Sequence, residues 1–116
     1  MFKINIEKKT LSNKYFRKVL YTNKFQQLVV MNLLPFQEIG NEKHKVSQFF
    51  RIEEGYGYVI IDNKKMKIKE GFSIIINPNT YHNIIAGKYG IKLYTIYSTP
   101  IHSKKCSQLL KEEKEC

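Results

Sequence analysis

The sequence predicts an all-β fold, an antiparallel sandwich or barrel, and three observations carry that prediction. Turn signals recur at short intervals, at Pro35, Gly55-Tyr56-Gly57, Asp62-Asn63, Gly71, Asn77-Pro78-Asn79 and the Gly87 to Gly90 segment. Between them lie short runs rich in Val, Ile, Tyr and Phe. In Lys65-Met66-Lys67-Ile68-Lys69, lysines alternate with apolar residues, the period of a strand with one wet face. Even spacing of short strands with such turns belongs to sandwiches and barrels.

Taken in order, strands are expected at Phe25–Leu33, Gln48–Ile52, Tyr56–Ile61, Lys65–Lys69, Phe72–Ile76, Tyr81–Ala86 and Ile91–Ser98. Asp62-Asn63 suits the left-handed conformations of a tight hairpin, and Asn79 tolerates a positive φ just after Pro78. The N-terminal segment Phe2 to Ile6 is a candidate strand for pairing between two copies of the chain. At the other end, Cys106, Leu109 and Leu110 stand at helical spacing, so Ser103 to Glu115 is expected to be a short helix or a frayed tail.

A chain of 116 residues is expected to be one domain, 1–116, with a barrel core over about 17–100 and a tail at 101–116. Apolar residues make up 42% of it, with eight Tyr and seven Phe, which excludes a disordered chain. The two cysteines, Cys106 and Cys116, lie in the charged tail without zinc spacing, and are expected to be free thiols in a reducing compartment. The start of the chain builds no apolar signal region, and the stretch from Leu28 to Phe36 is too short to span a bilayer. A cytoplasmic protein without a membrane partner is expected. The net charge of +10 is densest at Lys8, Lys9, Lys14, Arg17 and Lys18. Other lysines fall on outward strand faces, so the charge reads as a solvated surface. Nucleic acid is disfavoured as a partner, since no recognition helix or stacking platform is visible.

The chemistry concentrates in a few residues. Of three histidines, His44 and His82 fall in expected sheet regions, while His102 follows Pro100 in the tail. Glu42 and Gln48 flank His44, and all three have even numbers. On an extended chain equal parity means a shared face, firmly so for Glu42 and His44, because a turn before Gln48 could break the register. Phe50 and Ile52 continue the parity, so that face is expected to look inward, whereas Arg51 points outward. Polar groups in an apolar interior are costly unless something satisfies them, and a divalent metal would. A lone histidine on a sheet is more often just hydrogen-bonded, and a neutral amide such as Gln48 is the weakest ligand of the set. Phe50, Tyr58, Tyr81 and Tyr94 read as core or rim. No phosphate loop, nucleophile elbow or Ser/His/Asp order is visible.

These residues resemble a known pattern. Glu42-Lys43-His44, three residues, Gln48, six residues and Gly55 resemble the first motif of the cupin superfamily. Gly71, five residues and Asn77-Pro78-Asn79-Thr80-Tyr81-His82 resemble the second. The similarity covers roughly 17–100 and is nearest to small stand-alone cupins of the phosphomannose-isomerase-like kind. Departures are visible: Glu42 stands for the first motif's leading histidine, Gln48 for its glutamate and Phe36 for its glycine. In the second motif Asn77 stands for proline and Asn79 for glycine. The resemblance implies a cupin-type barrel (double-stranded β-helix, or jelly roll). It also implies one divalent transition metal (Zn, Mn, Fe or Ni) held by Glu42, His44, Gln48 and His82.

The implied function is a metal acting as Lewis acid on a small polar or anionic molecule, such as a sugar or sugar phosphate. Alternatives are a non-enzymatic binding or sensing module and an iron-dependent dioxygenase. Glu42 is a candidate general base instead of a ligand. A homodimer is the expected assembly.

Overall fold

The computed structural model describes residues 1–115. The chain runs α1 (Ile6–Ser12), β1 (Arg17–Thr22), β2 (Gln27–Leu33), β3 (Ser47–Ile61), β4 (Lys64–Lys69), β5 (Ser73–Ile76), β6 (His82–Ser98) and β7 (Ser107–Gln108). All pairings are antiparallel, in the order β4-β3-β6-β2-β1-β7, with β5 also on β3.

Two long strands organise this sheet. β3 and β6 pair from Ser47↔Ser98 to Ile61↔His82, with register shifts between Ile52 and Glu54 and between Gly55 and Gly57. Those shifts bend the ribbon and exchange its faces. Before the bend Gln48, Phe50 and Ile52 are buried; beyond it the buried residues are Gly57 and Val59. β6 changes likewise, from Ile84 and Ala86 to Ile91, Leu93, Thr95 and Tyr97. One half of β3 carries β5 and the other carries β4, so a single bent ribbon supplies both walls of the barrel. Sequence reasoning expected four strands here, because the glycines read as breaks. They act as close-approach points instead: a Cβ on Gly55 would lie 2.1 Å from the Gly90 carbonyl oxygen.

The core sits between those walls and is one cluster, with Val29, Met31, Leu33, Phe50, Ile52, Ile84, Ile91 and Leu93 at its centre. Each such side chain contributes roughly 1.5–3 kcal/mol on burial. Asp62 and Asn63, at φ 47° and 68°, make the β3–β4 hairpin, and Asn79 sits at φ 61°, as the turn residues predicted.

Four expectations are corrected. Phe2 to Ile6 is not a strand: the Asn5 side chain accepts from Lys8 N at 3.0 Å and caps α1, while Phe2 stacks on Tyr21. Arg17–Thr22 is a strand that its basic residues concealed. The tail forms no helix; β7 pairs with β1, Arg17 opposite Gln108, with Cys106 and Gln108 buried in the alternation of a strand. An isolated short helix is marginal, whereas the β1 edge offers unpaired backbone groups. Cys106 is disulfide-bonded and packed in the core cluster, not a free thiol; Cys116 lies outside the described residues. Among the described residues no helix is long and apolar enough to cross a membrane.

Candidate metal centre

His82 opens β6, and the segment before β3 is laid against it. Glu42 and His82 exchange both backbone hydrogen bonds, Glu42 N to His82 O at 2.8 Å and His82 N to Glu42 O at 2.9 Å. Asn79 N donates to His44 O at 2.6 Å, so the left-handed Asn79 turn holds the second imidazole's backbone. His44 therefore lies in a connection docked on the sheet, not in a strand as expected. Side chains still alternate as parity predicts: Glu42 and His44 are partly buried, while Lys43 and Lys45 are exposed.

The ligand atoms of Glu42, His44 and His82 lie within 4.8 Å of one another, close enough that one metal ion could be held by all three. The His44 and His82 rings are 5.5 Å apart between centroids, and His44 Nε2 is 3.8 Å from Glu42 Oε1. His82 Nδ1 sits 2.9 Å from the Thr80 carbonyl, which can only accept, so Nδ1 carries the proton and Nε2 keeps its lone pair. A carbonyl that holds the far ring nitrogen and so orients the histidine is the usual arrangement behind a metal-bound imidazole.

Gln48 lies in the same interior, 2% exposed. Its Nε2 donates to Thr95 Oγ1 at 2.9 Å, and Thr95 Oγ1 donates to the Phe49 carbonyl at 2.8 Å. That chain fixes which end of the amide is nitrogen. Gln48 Oε1, His44 Nε2 and His82 Nε2 are all buried with no hydrogen-bond partner. Three orphaned polar atoms in one interior, beside a carboxylate, fit a cation better than any neutral filling.

Electrostatics agree. Burial pushes the Glu42 carboxyl up, but His44 beside it and the charges of Arg17, His44 and His82 outweigh this and hold its pKa below the ordinary 4.5. For His82 burial dominates; the Thr80 carbonyl pulls the other way, and the pKa lies below the usual 6.5. An ionised Glu42 and a neutral His82 are the protonation states a divalent ion requires of them.

Sequence reasoning missed four polar residues of this interior. Thr95 and Tyr97 share odd parity with Ile91 and Leu93, a signal that was available. Tyr97 is 1% exposed, 5.8 Å from His44 and 5.2 Å from His102 between ring centroids, and burial raises its pKa. His102, expected in a loose tail, is buried with its backbone bound to the Gln27 side chain. Arg17, read as part of a basic surface, is 2% exposed. Arg51 and Glu53 pair at 3.2 Å on the opposite face from Gln48, as its parity predicted.

A bent antiparallel barrel bearing two imidazoles and a carboxylate on its inner face is a cupin-type architecture with a candidate metal centre. The sequence matches the Cupin domain family over residues 29–96, and the chain belongs to that family. It is 37% identical to the uncharacterized protein YrkC of Bacillus subtilis (strain 168) over 109 residues, covering 87% of this chain and 59% of that protein. It is 39% identical to the uncharacterized protein L612 of Acanthamoeba polyphaga mimivirus, over 88% of this chain and 68% of that one. Among solved structures, BH2720 from Bacillus halodurans superposes with a TM-score of 0.92 at 31% identity, over 95% of this chain and 89% of the other. A cupin from Shewanella frigidimarina shares the fold at 23% identity and a TM-score of 0.68, over 72% and 75% of the two chains.

Proposed function

We propose that this cupin binds one divalent transition ion through Glu42, His44 and His82, with Gln48 Oε1 as a fourth ligand, and acts on a small polar or anionic molecule. The observation that carries the proposal is the convergence of Glu42, His44 and His82 within 4.8 Å, in an interior where His44 Nε2, His82 Nε2 and Gln48 Oε1 are buried without a hydrogen-bond partner. Neutral imidazole and carboxylate donors suit Zn, Mn, Fe or Ni. The ion would supply Lewis-acid stabilisation to an oxygen that gains negative charge, such as that of a carbonyl in a sugar or sugar phosphate.

The chain's own residues set the rest. Glu42, held below the ordinary carboxylate range, stays ionised at neutral pH, which suits a ligand better than a general base. Thr95 anchors the Gln48 amide, Thr80 anchors His82, and Phe50 packs against the His82 ring at 6.1 Å between centroids, excluding water from that side. A homodimer belongs to the same proposal and is tested by light scattering.

The decisive experiment is metal content by plasma mass spectrometry on untagged protein, wild type and His82→Ala. Close to one ion per chain, lost in the variant, is the expected result. Protein that carries none, and takes up none on dialysis against iron, manganese, nickel or zinc, would overturn the reading and leave a metal-free binding module.

A further inference from the structure

We propose that the outer face of the β3–β4 ribbon binds single-stranded nucleic acid, with bases stacked on Tyr56, Tyr58 and Phe72 and phosphates on Lys65, Lys67 and Lys69. This surface is separate from the candidate metal centre and adds a partner to the function proposed above.

The register of the ribbon builds two parallel rows. Tyr56 lies opposite Lys69, Tyr58 opposite Lys67 and Ile60 opposite Lys65. Gly57, Val59 and Ile68 alternate with these residues and are buried, so both rows stand on the outward face of the barrel wall. Lys65, Lys67 and Lys69 are all exposed. Along each row the side chains repeat every two residues, roughly 6.5 Å. That step is comparable to the one between nucleotides in an extended single strand. In the sequence the tyrosines and lysines belong to separate runs, and only the hairpin at Asp62-Asn63 lays one row beside the other.

The rows border a cavity of about 430 Å³, lined by Tyr56, Tyr58, Lys67, Ile68, Lys69 and Phe72. Tyr56 lies over β6 at Gly87, where a Cβ would meet its Cε2 at 2.6 Å, and Tyr89 is edge-on to it at 6.1 Å. The ring is thereby held in place while 43% exposed, and Phe72 is 45% exposed. Lys65 Nζ sits 4.2 Å from the centroid of the Tyr58 ring. A base stacking on that ring would take the place of Lys65 and release its ammonium to a phosphate. Among the described residues no carboxylate lines the cavity. Asp62 and Glu70 stand at the two ends of β4, and Glu70 is engaged by Gly55 N at 3.0 Å.

The chemistry selects the occupant. A second copy of the chain would bring one lysine row, and a net charge of +10, against another. An acidic peptide would pair the lysines and leave the rings unused. An anionic membrane calls for protruding apolar side chains, whereas these rings line a recess. A duplex keeps its bases stacked inside. A single strand offers regular anions and open π faces together.

The test is fluorescence anisotropy of a labelled oligothymidylate of about twelve nucleotides with the full chain, at about 50 and 200 mM salt. The single strand should bind at least about tenfold more tightly than the matching duplex. Its log–log salt slope should be about −2, three phosphates at about 0.7 each. Lys67→Gln with Lys69→Gln should reduce that slope by about 1.4 in magnitude. Lys104→Gln with Lys105→Gln, which removes the same charge from exposed positions in the tail, should leave it unchanged. Tyr56→Ala and Phe72→Ala should each weaken binding about five- to hundredfold, while Tyr56→Phe, which keeps the ring, should retain it. His82→Ala should bind the strand as the wild type does, so failure of the metal centre and failure of this surface are told apart. Equal affinity for the duplex, or equal effects of the two lysine pairs, would overturn the proposal. So would capture of a polyglutamate peptide or of phosphatidylserine vesicles in place of the oligonucleotide.

Discussion

Gln27 is the residue whose loss should cost this fold most for its size. It is fully buried and spends its amide completely. Nε2 donates to Thr22 Oγ1 at 3.0 Å and to the His102 carbonyl at 2.8 Å, and Oε1 accepts from Ile101 N at 3.1 Å and His102 N at 2.9 Å. Those bonds pin the segment after β6 to the start of β2. Gln27→Leu keeps the volume and strands four partners. Thr22 and Ile101 are partly exposed and can turn to water, but His102 N and O cannot. At about 1–3 kcal/mol for each buried group left unpaired, the loss should be roughly 2–6 kcal/mol. That is a large share of a domain stability of about 5–15 kcal/mol. With a urea m-value of about 1–3 kcal/mol/M, the unfolding midpoint should drop by roughly 2 M at the middle of both ranges. Amide exchange at Ile101 and His102 should quicken more than at Ile52 or Leu93. A loss under about 1 kcal/mol would show that the tail contact is incidental and refute the reasoning.

Further outcomes follow from other features. In metal-free protein Glu42 and His82 both bind protons less readily folded than unfolded, so stability rises with pH. His82's share should be fully present above about pH 6.5 and be lost as pH falls through its folded pKa, with Glu42's share lost below about pH 4.5. Urea midpoints at neutral and mildly acidic pH should fall on acidification, less so in His82→Gln; an increase would contradict the assigned sign. Adding a bound metal at a hundred times its Kd should stabilise the wild type by about 2.7 kcal/mol and His82→Ala not at all, read as a shift in Tm. Gly55→Ala places a Cβ at 2.1 Å from Gly90 O with φ at 95°, and should cost about 2–5 kcal/mol in denaturant titration. Phe36, 70% exposed at φ 63°, occupies a left-handed position. Relief of about 1–2 kcal/mol of strain against about 0.5–1 of added chain entropy makes Phe36→Gly slightly stabilising, a Tm rise of a few degrees; a clear fall would show that the ring packs usefully.

The sequence by itself determined the fold class, the hairpin at Asp62-Asn63, the Asn79 turn and the three residues of the cluster. Each is a local matter: side-chain parity, a residue's tolerance of positive φ, or donors at a recurring spacing. The bend was harder. Gly55, Gly57, Gly87 and Gly90 look like strand ends in one dimension, and only the pairing of β3 with β6 shows that they let two backbones cross closely while the strands continue. The tail and the N-terminal segment were misread for a related reason. Cys106 with Leu109 and Leu110 fits a helical period, yet the free edge of β1 offered backbone partners that a lone helix could not match. Arg17 and His102 carried no sequence signal of burial, since a charge is buried only where distant residues meet it. Tertiary structure alone decided that Gln108, Glu115, Gln27 and Tyr97 would do so, and it placed the Tyr97 phenol beside the candidate metal centre.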